Sequence, residues 1–155
     1  MLFRSVNIFR NKVKSLNLTD RITIFNISML DIIEKDNYYD LILAEGVLNA
    51  VGFESGFLKS INLLKSKGYL IIHDEYKNHN NIVDFIKNNN CTIIDTYTLD
   101  DKIWWEDYFG CLEKEISKIT NNELLSLFET DLSEIIKFKN DSTSFTSSYY
   151  ILKKN

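Results

Sequence analysis

Carboxylates stand just beyond each of three apolar runs in this 155-residue sequence. Asp31 follows Arg21-Ile22-Thr23-Ile24-Phe25-Asn26, Glu45 follows Tyr39-Asp40-Leu41-Ile42-Leu43-Ala44, and Asp74-Glu75 follows Tyr69-Leu70-Ile71-Ile72-His73. A carboxylate set directly after a buried apolar stretch needs solvent or a partner. Acids gathered at strand ends can accept hydrogen bonds from a ligand or take a proton from one. Such acids also cap helices, a reading open to Asp31 before Ile32-Ile33-Glu34, and Glu45 also reads as a turn residue. His73 and His79 flank Asp74 and Glu75, but neither an HExxH-type motif nor a Cys/His framework is present, so no metal is assigned. No serine sits in a GxSxG elbow, and neither Cys91 nor Cys111 has a histidine nearby in sequence. Trp104, Trp105, Tyr108 and Phe109 fall at helical spacing. They read as core or as an aromatic wall that closes over a small ligand and excludes water.

The elements that would position these residues follow from apolar periodicity, which alternates between the helical and the extended kind. Val6, Phe9, Val13 and Leu16 predict a helix over about 4–17, and Arg21 to Asn26 predicts a short β-branched strand. A linker with one helical turn, Ser28 to Lys35, leads to Tyr39–Ala44, whose nearly continuous apolar run suits an interior parallel strand. Phe53, Phe57, Ile61 and Leu64 predict a helix ending at Lys65-Ser66-Lys67-Gly68, with the glycine as left-handed cap. Tyr69–His73 follows as a buried strand and completes a βαβ unit. A helix near 81–89 and a strand at 91–99 continue the alternation. Two helical segments follow, around 103–119 and 121–138, with Thr120 and Glu123 at capping-box spacing. Ser144 to Leu152 predicts a terminal strand. With no internal repeat or Gly/Ser linker, one α/β domain over 1–155 is the parsimonious count. In open α/β sheets ligands gather beyond the carboxyl ends of the strands, which is where the three sets of acids lie.

Composition narrows the partners. Hydrophobic residues make up 45% and charged residues 26%, a globular balance that excludes the disordered classes. The net charge is −4 and the pI near 5.2, so no global basic field is available for nucleic acid. No apolar run approaches a membrane span and the N-terminal MLFRSVNIFRNK lacks a signal-peptide core. With two cysteines lacking metal-type spacing, a reduced, cytoplasmic setting is expected.

Several of these stretches together resemble the later half of a class I S-adenosylmethionine-dependent methyltransferase. They are Leu18-Thr19-Asp20-Arg21-Ile22, Ser28-Met29-Leu30-Asp31, Tyr39-Asp40-Leu41-Ile42-Leu43-Ala44-Glu45-Gly46, Gly52-Phe53-Glu54 and Leu63-Leu64-Lys65-Ser66-Lys67-Gly68-Tyr69-Leu70. Trp104-Trp105-Glu106-Asp107-Tyr108-Phe109 followed by Leu112-Glu113 is similar to a segment of one small-molecule branch. The resemblance implies a Rossmann-like sheet, mostly parallel with a terminal antiparallel strand. It implies S-adenosyl-L-methionine as cofactor, with Ser28, Met29 and Leu30 lining the adenine pocket and Asp31 accepting from the adenine amine. Glu45 and Gly46 would face the cofactor's methionine part and the substrate. By strand-end position Glu45 is the first candidate for a base and His73 the second, with Trp105 and Tyr108 as substrate contacts.

The departure from that pattern is the glycine-rich loop, because none of the five glycines, at 46, 52, 56, 68 and 110, forms one. Close backbone approach to a nucleoside cofactor needs such glycines. The expectation is therefore an N-terminally truncated sheet with half of its cofactor site missing, a methyltransferase-like protein for a small molecule that is either incomplete alone or half of a split enzyme. The alternative is a non-catalytic α/β remnant that serves as an interaction or oligomerisation module. In either case Leu41-Ile42-Leu43 becomes an apolar edge. A complementing chain, a homodimer, or direct pairing with the strand at 22–26 would cover it.

Overall fold

The computed structural model describes residues 2–155, and for residues 2–5 and 78 the backbone alone. The chain packs as two compact units, Met1–Ile33 and Glu34–Asn155. In the first unit, α1 spans Leu2–Ser15 and buries Val13. The strand predicted at 21–26 does not form. Arg21 and Ile22 instead close a turn by donating to the Leu18 carbonyl, and residues 22–26 have no regular secondary structure. A strand exists only through its pairing, and all four strands of the sheet lie beyond residue 38. One 3-10 turn follows, Met29–Asp31, capped by Ser28 Oγ, which accepts from the Leu30 N–H at 3.3 Å.

The second unit carries the sheet. β1 is Tyr39–Glu45, α2 Leu48–Val51, α3 Phe53–Leu63 and β2 Leu64–Glu75. Then come α4 at His79–Lys87 and β3 at Cys91–Leu99. A helical run follows, made of α5 (Asp101–Trp104), a π turn (Trp105–Phe109) and α6 (Gly110–Ile116). Next are α7 (Asn122–Ser126), α8 (Glu129–Asn140) and finally β4 (Ser147–Lys154). Strand order is β1-β2-β4-β3. β1 and β2 are parallel, and β4 inserts antiparallel between β2 and β3. Three strands thus run one way and the last runs against them, the mostly parallel α/β sheet that the sequence implied.

Side-chain alternation sorts the sheet into two faces. Ala44, Ile72 and Tyr150 are paired in register, as are Leu70 and Leu152, and all five are buried. Packed with them are α3 against β2 and α4 against β3, which bury Phe57, Ile61, Ile82 and Ile86. Phe53, Phe57 and Phe85 meet ring to ring at 5.5 to 6.0 Å, joining the two helices. A second cluster of Phe109, Ile116, Ile135 and Phe138 knits the helices between β3 and β4.

Two local expectations shift. The helix ahead of β2 stops at Leu63, and the left-handed residue is Lys67 (φ 66°) rather than Gly68. Gly68 is required for space instead. A Cβ there would sit 2.9 Å from the Lys65 carbonyl oxygen and 3.0 Å from that of Asp40. The segment predicted as one helix over 121–138 is split between α7 and α8. Its N-cap is Asn121, whose side chain accepts from the Leu124 N–H at 3.0 Å, in place of Thr120.

Candidate functional site

The carboxyl ends of β1 and β2 lie side by side, so their register decides which side chains meet. Glu45 pairs with His73, His73 with Tyr149, and Tyr149 with Tyr97, one row across all four strands. The consequences are direct. His73 Nδ1 lies 3.2 Å from Glu45 Oε2. The imidazole stacks on Tyr149 at 4.3 Å with planes 2° apart, and Tyr149 stacks on Tyr97 at 4.9 Å. The Tyr149 hydroxyl donates to the same Glu45 oxygen at 3.3 Å. Burial, with the Glu45 carboxylate next, holds the Tyr149 phenol above its ordinary pKa, so it remains a donor.

On the far side of the ring, His73 Nε2 is 2.8 Å from Ser147 Oγ. The Trp104 indole N–H donates to that hydroxyl at 3.3 Å, and Trp104 lies parallel to the imidazole, centroids 6.0 Å apart. One donor direction fits every contact. Trp104 N–H donates to Ser147, Ser147 O–H donates to Nε2, and Nδ1–H donates to Glu45. The carboxylate fixes the tautomer in which Nε2 is the basic nitrogen.

His73, Trp104 and Ser147 border a cavity of about 780 Å³ at the strand ends. His73, Asp74 and Glu75 at the end of β2 are among its lining residues, with Gly46 and Asn49 beyond β1. Trp104, Tyr108, Phe109 and Phe145 supply aromatic surface, and Ser147 opens onto it from β4. Gly46 has φ +60° and open space where a Cβ would stand, so backbone can be approached there. Asp74 is 3% exposed and lies on the side of β2 opposite His73. Its Oδ1 accepts from the Asn49 amide and from the Glu75 N–H. Burial raises its pKa. Behind it Tyr150 is fully buried, its phenol pushed up to about 12 mainly by burial, and hydrogen-bonds His79 Nδ1 at 3.0 Å. His79 is thereby a structural partner of the core.

Of the residues singled out from sequence, Glu45 and His73 meet directly, and Gly46, His73 and Tyr108 border one cavity. Trp105 sits elsewhere. It stacks on Phe138 at 5.7 Å beneath Lys139 Nζ, while its neighbour Trp104 faces the cavity. Ser28, Met29, Leu30 and Asp31 stand together on the 3-10 turn of the first unit, Asp31 exposed within the turn rather than capping a helix. Sequence reasoning gave no role to Asn49 or Asp74, though both lie at strand ends, and did not single out Ser147. Asp74 carried a signal, since it was one of the strand-end acids. Ser147 carried none, because its place depends on β4 inserting beside β2.

No protein-family model matches the sequence, and comparison with curated proteins finds no match. Solved structures do match in fold. The 4+2 cyclase SpnF superposes with a TM-score of 0.77 at 11% identity, over 96% of this chain and 62% of that one. A candidate sarcosine dimethylglycine methyltransferase from Galdieria sulphuraria gives 0.69 at 18% identity, over 94% of this chain and 64% of that one. A SAM-dependent methyltransferase from Geobacter sulfurreducens, solved with S-adenosyl-L-homocysteine, gives 0.67 at 10% identity, over 94% and 70%. The chain thus spans less than two thirds of the length of the first two. Sheet order, the inserted antiparallel strand and these superpositions together show that the chain carries the fold of class I S-adenosylmethionine-dependent methyltransferases.

Proposed function

We propose that the chain forms the acceptor side of an S-adenosyl-L-methionine-dependent methyl-transfer site for a small molecule, with Glu45 and His73 as its base. The observation that carries the reading is the line Glu45–His73–Ser147, of which His73 and Ser147 border a cavity beyond the strand ends. The cofactor, when bound, supplies a methyl group already activated on a sulfonium. The residues present fit one edge of it, since Gly46 leaves its backbone approachable beside Glu45. A glycine-rich segment, absent from this sequence, completes the site.

The chain's own residues then have defined tasks. Glu45 holds His73 in the tautomer whose Nε2 accepts a proton, and Tyr149 holds Glu45. Ser147, between Nε2 and the cavity, passes the proton of an acceptor O–H or N–H to the imidazole. Trp104 and Tyr108 exclude water and set the acceptor's orientation. Calorimetry with S-adenosylmethionine tests the reading at its base. Micromolar binding would support the enzyme reading, and absence of heat at millimolar ligand would favour the non-catalytic remnant. In the complete enzyme, His73→Asn is expected to cut turnover by about a hundredfold or more, within the range of general-base losses. Unchanged turnover would discard the base assignment.

A second reading has its own observation. β1 is an edge strand with Leu41 and Leu43 exposed by 51% and 59%, the template expected of an interaction module that pairs with another chain. The fold also hosts more than methyl transfer, as the likeness to a cyclase indicates. The methyl-transfer reading is preferred because an edge alone accounts for neither the ordered donor chain nor the cavity.

A further inference from the structure

One face of the sheet is closed and the other is not. Leu70, Ile72, Tyr150 and Leu152 are fully buried on the closed face. The alternate residues of the same strands stand on the open one. There Leu41 pairs with Tyr69 and Tyr69 with Lys153, making one row. Leu43 pairs with Ile71, Ile71 with Ile151 and Ile151 with Asp95, making the next. Leu41, Leu43 and Tyr69 are exposed by 51%, 59% and 40%, and Ile71 and Ile151 are half-buried. Parallel strands are ordinarily covered on both faces, and a contiguous apolar patch of this kind marks a contact surface.

The charges in these rows select the occupant. Lys153 on β4 and Asp95 on β3 are diagonal neighbours, within reach of a long side chain, yet they do not meet. Lys153 leans the other way, with Nζ 5.6 Å from the centre of the Tyr69 ring on β2. Asp95 Oδ1 accepts from the Thr96 N–H at 2.8 Å. Among the described residues neither charge enters an ion pair. The patch therefore presents one unpaired cation and one unpaired carboxylate amid apolar side chains. Nucleic acid or anionic lipid would require a surround of cations. An apolar helix would bury both charges without partners. A surface with one charge of each sign is its own complement, which suits contact about a two-fold axis, where residue i meets j and j meets i.

We propose that a second copy of this chain covers the open face, with Lys153 of each copy against Asp95 of the other and the apolar residues of the two rows packed between them. The contact is made by side chains of the face, not by the backbone edge of β1, and it does not rest on the methyl-transfer reading.

Sedimentation of the full chain over a concentration series is the test, and a reversible monomer–dimer equilibrium is the expected result. Lys153→Glu alone, or Asp95→Lys alone, opposes like charges at both contacts of the symmetric pair. Each is expected to weaken the dimer about tenfold or more, with far-ultraviolet dichroism unchanged. An equimolar mixture of the two variants restores opposite charges at both contacts of the mixed pair, and it is expected to recover most of the lost affinity. A mixture that associates no more tightly than its components would overturn the proposal. A dimer that neither reversal weakens would place the contact elsewhere, the β1 edge included, and overturn it as well. A native chain that stays monomeric throughout would leave the face to another occupant, an outcome that overturns the proposal without any variant having to fold.

Discussion

Burial raises the Asp74 pKa above its ordinary 3.8, with the neighbouring Glu75 carboxylate adding to the effect. The folded chain therefore holds that proton more tightly than the unfolded chain does. Stability is lowered as pH rises from the unfolded value through the folded one, and is recovered on acidification. Asp74→Asn keeps the shape and removes the charge, so it is expected to raise the melting temperature at neutral pH. A gain of about 1 kcal/mol would read as roughly 2–4 °C for a chain of this length. The gain should shrink as pH falls through the raised Asp74 pKa. Thermal unfolding of both proteins across that range checks it, and a gain constant with pH would mean that burial of the charge is not its source. Asp74 sits where an acid at a strand end was legible from sequence.

At the scale of elements, the turn from α3 into β2 shows how a motif can be right while its chemistry is misassigned. A helix end followed by Gly68 suggested a left-handed glycine cap, yet Lys67 takes the positive φ and Gly68 lies against two backbone carbonyl oxygens. Those oxygens belong to the bulge where β2 changes register against β1, and neither can yield as a flexible side chain would. Gly68→Ala is expected to cost about 1–3 kcal/mol, the range for overpacking. It should lower the urea midpoint with an unchanged slope. A midpoint within error of the native one would show that the bulge relaxes. The π turn Trp105–Phe109 makes a related point. Helical spacing grouped Trp104, Trp105, Tyr108 and Phe109 as one wall, but in the structure Trp104, Tyr108 and Phe109 border the cavity while Trp105 packs on Phe138. No local pattern announces an extra residue in a helical turn, so which tryptophan lines the cavity was not readable in advance.

For the molecule as a whole, the sheet ends at β1 with an unpaired backbone edge and the exposed side chains of Leu41 and Leu43. Lys65 and Asp40 form an ion pair near the start of that strand, at 2.8 Å. Residues 41–44 after it are apolar, and the next charge on the edge is Glu45 at the end of the strand. Leu43→Lys is expected to reduce self-association at high protein concentration while leaving far-ultraviolet dichroism unchanged, since residue 43 is more than half exposed. Sedimentation of the two proteins side by side is the measurement. An unaltered distribution of species would remove edge pairing as the cause of any association. Among the described residues no helix is long and apolar enough to cross a membrane.

By itself the sequence determined what depends on neighbours along the chain. The strands at 39–45 and 91–99, the amphipathic helices between them and the acids at strand ends all follow from periodicity and from the cost of burying charge. Tertiary structure decided what depends on partners far away in sequence. The stretch at 21–26 has every local mark of a strand and is none, because pairing is supplied by another segment or not at all. Ser147 reaches His73 across 74 residues, and only because β4 enters antiparallel between β2 and β3. The same insertion sets His73 between Glu45 and Tyr149, since register fixes which side chains share a row.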